Sequence, residues 1–319
     1  MKKKILIILM LFIGLFTITA CGSKKEKEKE KEIITPLLYE VTKEGSSNKM
    51  YILGTMHIGN LKNTEFAEYV TKAFNESHYV AAETDNEDSE SEEDYIEQIN
   101  RMIYPENDSI KNHMSQESYN KLMEFVDENG LMDDFGFNND VVKLEYYARM
   151  LIQVVVEKSN LTTDDGIDNY FINKAKKEGK TFMEVESSDS QEDVLASLPD
   201  KYYERQIIEV IDDMDTQVKE AESLFETWKK GNEEEIWKDD GSTIKEEDKS
   251  KYSEEEIKIA EEFDEKILYS RNITMTDKFE EFFNNNYDMF FTVGQDHVVG
   301  DRGIVSYLRQ RGYTVTKLS

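Results

Sequence analysis

The chain has 319 residues, of which 38% are hydrophobic and 34% charged, and its formal net charge at pH 7 is −29. That balance sets nucleic acid aside as a partner, because phosphate binding needs basic patches that so acidic a chain lacks. Its 17 Tyr, 16 Phe and 13 Met still supply a sizeable core, and with a single cysteine there is no intramolecular disulfide to replace one.

At the start, Lys2, Lys3 and Lys4 precede an apolar stretch from Ile5 to Thr17, which is signal-peptide length and too short to span a bilayer. It ends in Ile18-Thr19-Ala20-Cys21, small residues just before a cysteine, the pattern of a lipoprotein leader. Residues 1–20 are therefore expected to be removed and Cys21 to carry a lipid, which anchors the protein on the extracytoplasmic face of the cell membrane. Losing the three leader lysines takes the net charge to −32, which reads as solubility beside a membrane. The Lys- and Glu-rich run Lys24 to Glu32 reads as a solvated tether within residues 21–35.

The rest, residues 36–319, reads as one domain. Met50 to Leu53 and His78 to Ala82 are short apolar runs with polar residues beyond their ends, which predicts buried strands. Thr64 to Asn75 has helical spacing between them, so the opening unit reads β-α-β. Asn86 to Asp94 is an acidic loop. Tyr95 to Glu157 is a helical insertion with breaks near Pro105 and around Gly130 to Gly136, and its stripe Leu144, Tyr147, Ala148, Leu151, Val154, Val155 is core. A helix from Asp165 to Lys177 leads to a strand over Thr181 to Glu186, and further helices run from Pro199 to about Gly231. Asn232 to Glu256, acidic and poor in apolar residues, is expected to be mobile. A helix through Phe283, a strand over Asp288 to Val293, a helix over Gly303 to Arg311 and a strand over Tyr313 to Leu318 close an α/β pattern.

Only four histidines occur, and two share a local pattern: Leu53-Gly54-Thr55-Met56-His57-Ile58-Gly59 and Val293-Gly294-Gln295-Asp296-His297-Val298-Val299-Gly300. Each is an apolar strand followed by G-x-x-H, as in two related halves. A glycine ending a strand allows a sharp turn that presents the histidine at the carboxyl edge of a sheet. Glu83, ending the next strand, is expected beside His57. His57, Glu83 and His297 then form a ligand set for a divalent ion with a position left for water, whose pKa falls to about 7. The set does not choose between zinc, manganese and cobalt. His78 reads as a strand-start residue and His113 as a surface residue.

The pattern resembles the TraB/GumN family, which includes bacterial pheromone-shutdown proteins and the TIKI metalloproteases of animals. The residues that carry the resemblance are Tyr51 to His57, Glu83-Thr84-Asp85, Gly166-Ile167-Asp168, Val185-Glu186-Ser187 with Gln191, Arg271-Asn272, and Val293 to Gly300 leading to Leu308, Gly312 and Tyr313. The resemblance implies a mixed sheet with surrounding helices and a cleft where the two G-x-x-H motifs meet. It carries candidate catalytic or metal roles to His57, Glu83 and His297, with Arg271 and Glu186 in support. Arg271 has two readings, pairing with Glu83 or Glu186, or stabilising an oxyanion; Glu186 has a structural one. Two functions remain open: a tethered metallohydrolase acting on extracellular peptides, and a lipoprotein that captures a signalling peptide or small ligand without cutting it.

Overall fold

The computed structural model describes residues 31–84, 99–131, 138–237, 243–244 and 246–319. Cys21 with its leader and the acidic stretch 86–94 lie outside them.

Eight strands occur among the described residues: β1 Glu32–Ile34, β2 Leu38–Lys43, β3 Lys49–Thr55, β4 Thr64–Phe66, β5 Tyr79–Ala82, β6 Thr181–Glu184, β7 Met289–Gly294 and β8 Tyr313–Lys317. Six form one mixed sheet in the order β6-β5-β7-β3-β2-β8, and β1 and β4 pair as a separate parallel ribbon. From β6 to β3 the strands run parallel, while β2 is antiparallel to both its neighbours. β7 is buried at every position and β3 at all but its first, as expected for strands covered on both faces.

Alternation along these strands feeds two cores. Tyr51, Leu53, Val80 and Phe290 face one side; Met50, Ile52, Ala81, Phe291 and Val293 face the other. On the first side pack α1 Glu68–Glu76, α2 Gln116–Asn129, α3 Leu144–Lys158, α4 Ile167–Glu178, α6 Asp200–Asp212 and α7 Met214–Lys230. On the second lie α10 Ser270–Asn284 and α12 Ile304–Gln310. The remaining helices are α5 Ser188–Ala196, α8 Glu233–Trp237, α9 Glu254–Asp264 and the short α11 Gln295–Val298, and a π-helical turn Glu265–Tyr269 joins α9 to α10. The α3 stripe is buried at all six expected positions. Ser115 caps α2 through the Ser118 N–H, and Gly130 ends it in the left-handed region, where glycine carries no steric penalty.

Several boundaries differ from the sequence reading. Thr64 to Asn75 is a three-residue strand and then a helix, because Thr64–Phe66 finds β1 as a partner. The strand expected to reach Glu186 ends at Glu184, although Glu186 N–H still donates to the Glu83 carbonyl at 3.0 Å. β5 does not neighbour β3, since β7 lies between them. Within 232–256 the described residues include α8 and a 3-10 turn Glu246–Lys251, and Ile236 and Thr243 are buried.

His113 is half-buried rather than a surface residue: it stacks on Tyr104 with ring centroids 4.0 Å apart and bridges Asp108 at 2.9 Å and Asp200 at 2.6 Å. Burial would lower its pKa, but the two carboxylates raise it above the ordinary value. A raised folded-state pKa means that the bridge stabilises fully below about pH 6.5 and fades as pH rises through the folded value. Thermal denaturation between about pH 6 and 9 should therefore show a decline that His113→Asn flattens; equal slopes in both proteins would show that the bridge contributes nothing.

Candidate active site at the sheet edge

The four parallel strands end at one edge of the sheet, and a chemically loaded residue stands within three positions of each end. In spatial order these are Glu186 beyond β6, Glu83 beyond β5, His297 beyond β7 and His57 beyond β3. This carboxyl edge is where open α/β sheets bind ligands. The four candidates, far apart in the chain, are therefore brought together by strand order. Arg271 joins them from the first turn of α10.

His57 is placed by a zipper between two glycine-containing loops. Gly59 forms an antiparallel bridge to Thr162, and the Ile167 N–H donates to the Met56 carbonyl at 2.8 Å. The contact is tight enough to require glycine on both sides. A Cβ on Gly59 would lie 2.3 Å from the Asp165 carbonyl oxygen, and one on Gly166 would lie 2.7 Å from that of His57. The zipper sets the first turn of α4 against His57, so that Asp168 Oδ2 meets His57 Nδ1 at 2.6 Å. Neither Gly54 nor Gly294 has a positive φ. Gly54 instead lets the second motif approach, since a Cβ there would lie 3.1 Å from Gln295 Cα, and Trp228 Nε1 donates to its carbonyl at 2.8 Å. The Gly294 N–H donates to Glu83 Oε1 at 2.6 Å. The two motifs also differ locally, with Thr55 still in β3 while Gln295 opens α11.

Glu83 stands beside His297 rather than beside His57: Glu83 Oε1 is 3.9 Å from His297 Nε2. Its other oxygen accepts from Arg271 Nη2 at 2.8 Å and from Gln191 Nε2 at 3.3 Å. Arg271 also pairs with both oxygens of Glu186 and donates through Nη1 to the Ile267 carbonyl of the π turn at 2.7 Å. Pairing is thus the role the geometry gives Arg271, and it takes both carboxylates at once. Gln191 reaches Glu186 Oε1 at 2.5 Å and closes the network. His297, fully buried, faces Asn272 Oδ1 through Nδ1 at 2.5 Å.

The two imidazoles differ in charge. Burial opposes the charged form of His57, but the Asp168 carboxylate, helped by Glu83, lifts its pKa to about 9. Burial lowers that of His297 to about 3, and Arg271 adds to the effect. Burial would raise the pKa of Glu83, but with His297 neutral the charges of Arg271 and His57 and the Gly294 N–H still hold its carboxyl below the usual carboxylate range. His297 then donates from Nδ1 to Asn272 and directs a lone pair from Nε2. The Nε2 atoms of both histidines are buried without a hydrogen-bond partner, as is Asp168 Oδ1.

Orphaned atoms of this kind in a native site call for a ligand. Each imidazole has its Nδ1 held by an oxygen, the arrangement that aims Nε2 at a metal. Two donors about 2 Å from one ion lie about 3 to 4 Å apart, so the separation of Glu83 Oε1 from His297 Nε2 suits a shared ion. Three carboxylates, Glu83, Glu186 and Asp168, outweigh the two cations Arg271 and His57 and favour a further cation. Among the described residues no group of three His, Cys, Asp or Glu side chains is already gathered around a point, so the donors fit in kind and the fit starts from a pair. The site draws on Asp168, Asn272 and Gln191, which sequence reasoning matched to relatives without giving them a role; the signal available was an acidic residue directly after Gly166-Ile167. His78 is exposed on Asp288 at the opposite strand end, and His113 lies in the helical layer, so neither joins the site.

Gly59→Ala should destabilise the protein by about 2 kcal/mol or more, because backbone rather than a side chain must move. Chemical denaturation measures this, and a change under about 0.5 kcal/mol would show that the loops are not zipped.

No curated protein and no solved structure matches the chain. The model of the TraB/PrgY/gumN family matches residues 37–317, a span that contains every residue of the sheet-edge cluster. The chain belongs to the TraB/PrgY/gumN family.

Proposed function

We propose that the protein is a hydrolase that cuts extracellular peptides with a divalent ion at His57, Glu83 and His297, held on the outer face of the cell membrane by a lipid on Cys21. One observation carries the hydrolytic reading: two buried imidazoles with orphaned Nε2 atoms, on adjacent strand ends, with an ionised carboxylate between Arg271 and the nearer ring. The family resemblance to metalloproteases supports it, and the leader ending at Cys21 supports the anchor.

A bound ion would supply a Lewis acid and a water acidified to a pKa of about 7. Asp168 keeps the Nδ1 proton on His57, which must release its Nε2 proton before that nitrogen can ligate. Asn272 fixes the tautomer of His297, so its Nε2 lone pair is ready without deprotonation. The Gly294 N–H and Arg271 hold Glu83 in one rotamer and keep it charged, while Glu186 and Gln191 hold Arg271. Burial of the cluster excludes bulk water, which strengthens each of these interactions.

Elemental analysis of protein purified without chelator should find about one divalent ion per chain. His57→Ala and His297→Ala should each lose the ion and reduce cleavage of a peptide library by about a hundredfold or more, whereas His78→Ala should change neither. Unchanged ion content and cleavage in both site variants would sink the hydrolase reading; saturable peptide binding without ion or cleavage would leave a capture protein. Asp168→Asn should weaken ion binding by about 10- to 100-fold while the fold persists. Cys21→Ala should move the protein from the membrane fraction to the soluble one, and its continued sedimentation with membranes would count against the anchor.

A further inference from the structure

α5 has nine residues, too few for a helix to hold itself, and it carries Gln191 to the sheet edge. Among its described side chains Leu195 alone is a buried hydrophobic, packed with Phe263, Ile267 and Leu268 in a small core apart from the two that flank the sheet. So narrow an apolar attachment leaves the rotation of the helix about its axis to be fixed by polar contacts.

Those contacts come from α3 and α6. Arg149, on α3, meets Glu192 as a fork: Nη1 donates to Oε1 at 2.8 Å and Nη2 to Oε2 at 2.7 Å. Its Nη2 also pairs with Glu145, one turn back on α3. The Tyr203 hydroxyl of α6 donates to the Leu195 carbonyl at 2.8 Å. The Arg149 side chain is only 15% exposed, so water competes weakly with the fork, and two parallel bonds fix direction as well as distance.

Gln191 and Glu192 are consecutive, so their side chains leave the helix about 100° apart. Holding Glu192 against α3 therefore turns Gln191 to the sheet edge, where its Nε2 donates to Glu186 Oε1 at 2.5 Å and to Glu83 Oε2 at 3.3 Å. A roll of α5 by about 20° would carry that amide, roughly 6 Å from the helix axis, through about 2 Å and out of hydrogen-bond range.

We propose that Arg149 is a positioning residue for the sheet-edge cluster: through Glu192 it sets the roll of α5, and so places the Gln191 amide that joins Glu83 to Glu186. Glu83 Oε1, 3.9 Å from His297 Nε2, is aimed by what the other oxygen accepts, namely Arg271 and Gln191. The proposal deepens the reading of this cluster as an ion site, and it rests on that reading for its ion affinities.

The test records the side-chain amide resonances of Gln191, assigned through Gln191→Ala, in the wild-type protein, Arg149→Lys and Glu192→Leu, and measures manganese affinity on the same proteins. Lysine keeps the charge but cannot span both oxygens of Glu192, whereas Glu192→Leu leaves Arg149 paired with Glu145. In each variant the Gln191 pair should leave the downfield position of an amide that donates to carboxylates and move towards that of an exposed glutamine, with the circular dichroism spectrum unchanged. Manganese affinity should fall by about tenfold in Glu192→Leu and in Gln191→Ala, and no further in the double variant, because both act through one amide. Unmoved Gln191 resonances in both variants would overturn the proposal, and so would losses of affinity that multiply in the double variant. If the wild-type protein binds no manganese, the ion-site reading fails and the resonances still decide the role of Arg149. If Glu192→Leu does not fold, Arg149→Lys decides alone.

Discussion

The sheet edge depends on one buried ion pair, Arg271 with Glu83. Removing either charge from water costs several kcal/mol, and that cost is recovered only when the remaining donors and acceptors are satisfied. Here they are: Glu83 takes Gly294 and Gln191 in addition, and Arg271 takes Glu186 and Ile267. Through these bonds one guanidinium ties together the chain beyond β5, β6 and β7 with the start of α10. Loss of one partner would leave the other charge buried and unpaired, a cost of about 3 to 5 kcal/mol.

That pair also divides labour between the histidines. Burial, helped by Arg271, keeps a proton off His297, while Asp168 retains one on His57. The same residue type in the same local pattern thus carries opposite charge states, because one ring is backed by a carboxylate and the other by an amide oxygen. Strand order supplies the convergence, and glycines at 59 and 166 supply the close approach that brings Asp168 within reach.

Much of this was legible in the sequence, for identifiable reasons. β3 and β7 are continuous apolar runs bounded by glycine, so their strand character is local information. The G-x-x-H repeat stands out because histidine is scarce. The identity of His57, Glu83, His297, Arg271 and Glu186 as one cluster was anticipated from the family pattern. What was not legible depends on long-range order. Nothing local says that β7 inserts between β3 and β5, and so Glu83 was assigned to His57 when its nearer imidazole is His297. Asp168 lies 111 residues from His57, and its carboxylate reads locally as a helix start. The short ribbon of β1 and β4 is too brief for periodicity to reveal, so helical spacing absorbed it.

The central claim is that His57 and His297 direct their Nε2 atoms at one ion beside Glu83. Nitrogen-detected NMR of the imidazole rings during titration with manganese tests it most directly. The account predicts that the ring signals of His57 and His297 broaden together at a stoichiometric equivalent of ion, while those of His78 and His113 persist. Broadening of only one of the pair, or of exposed His78 before either, would contradict it.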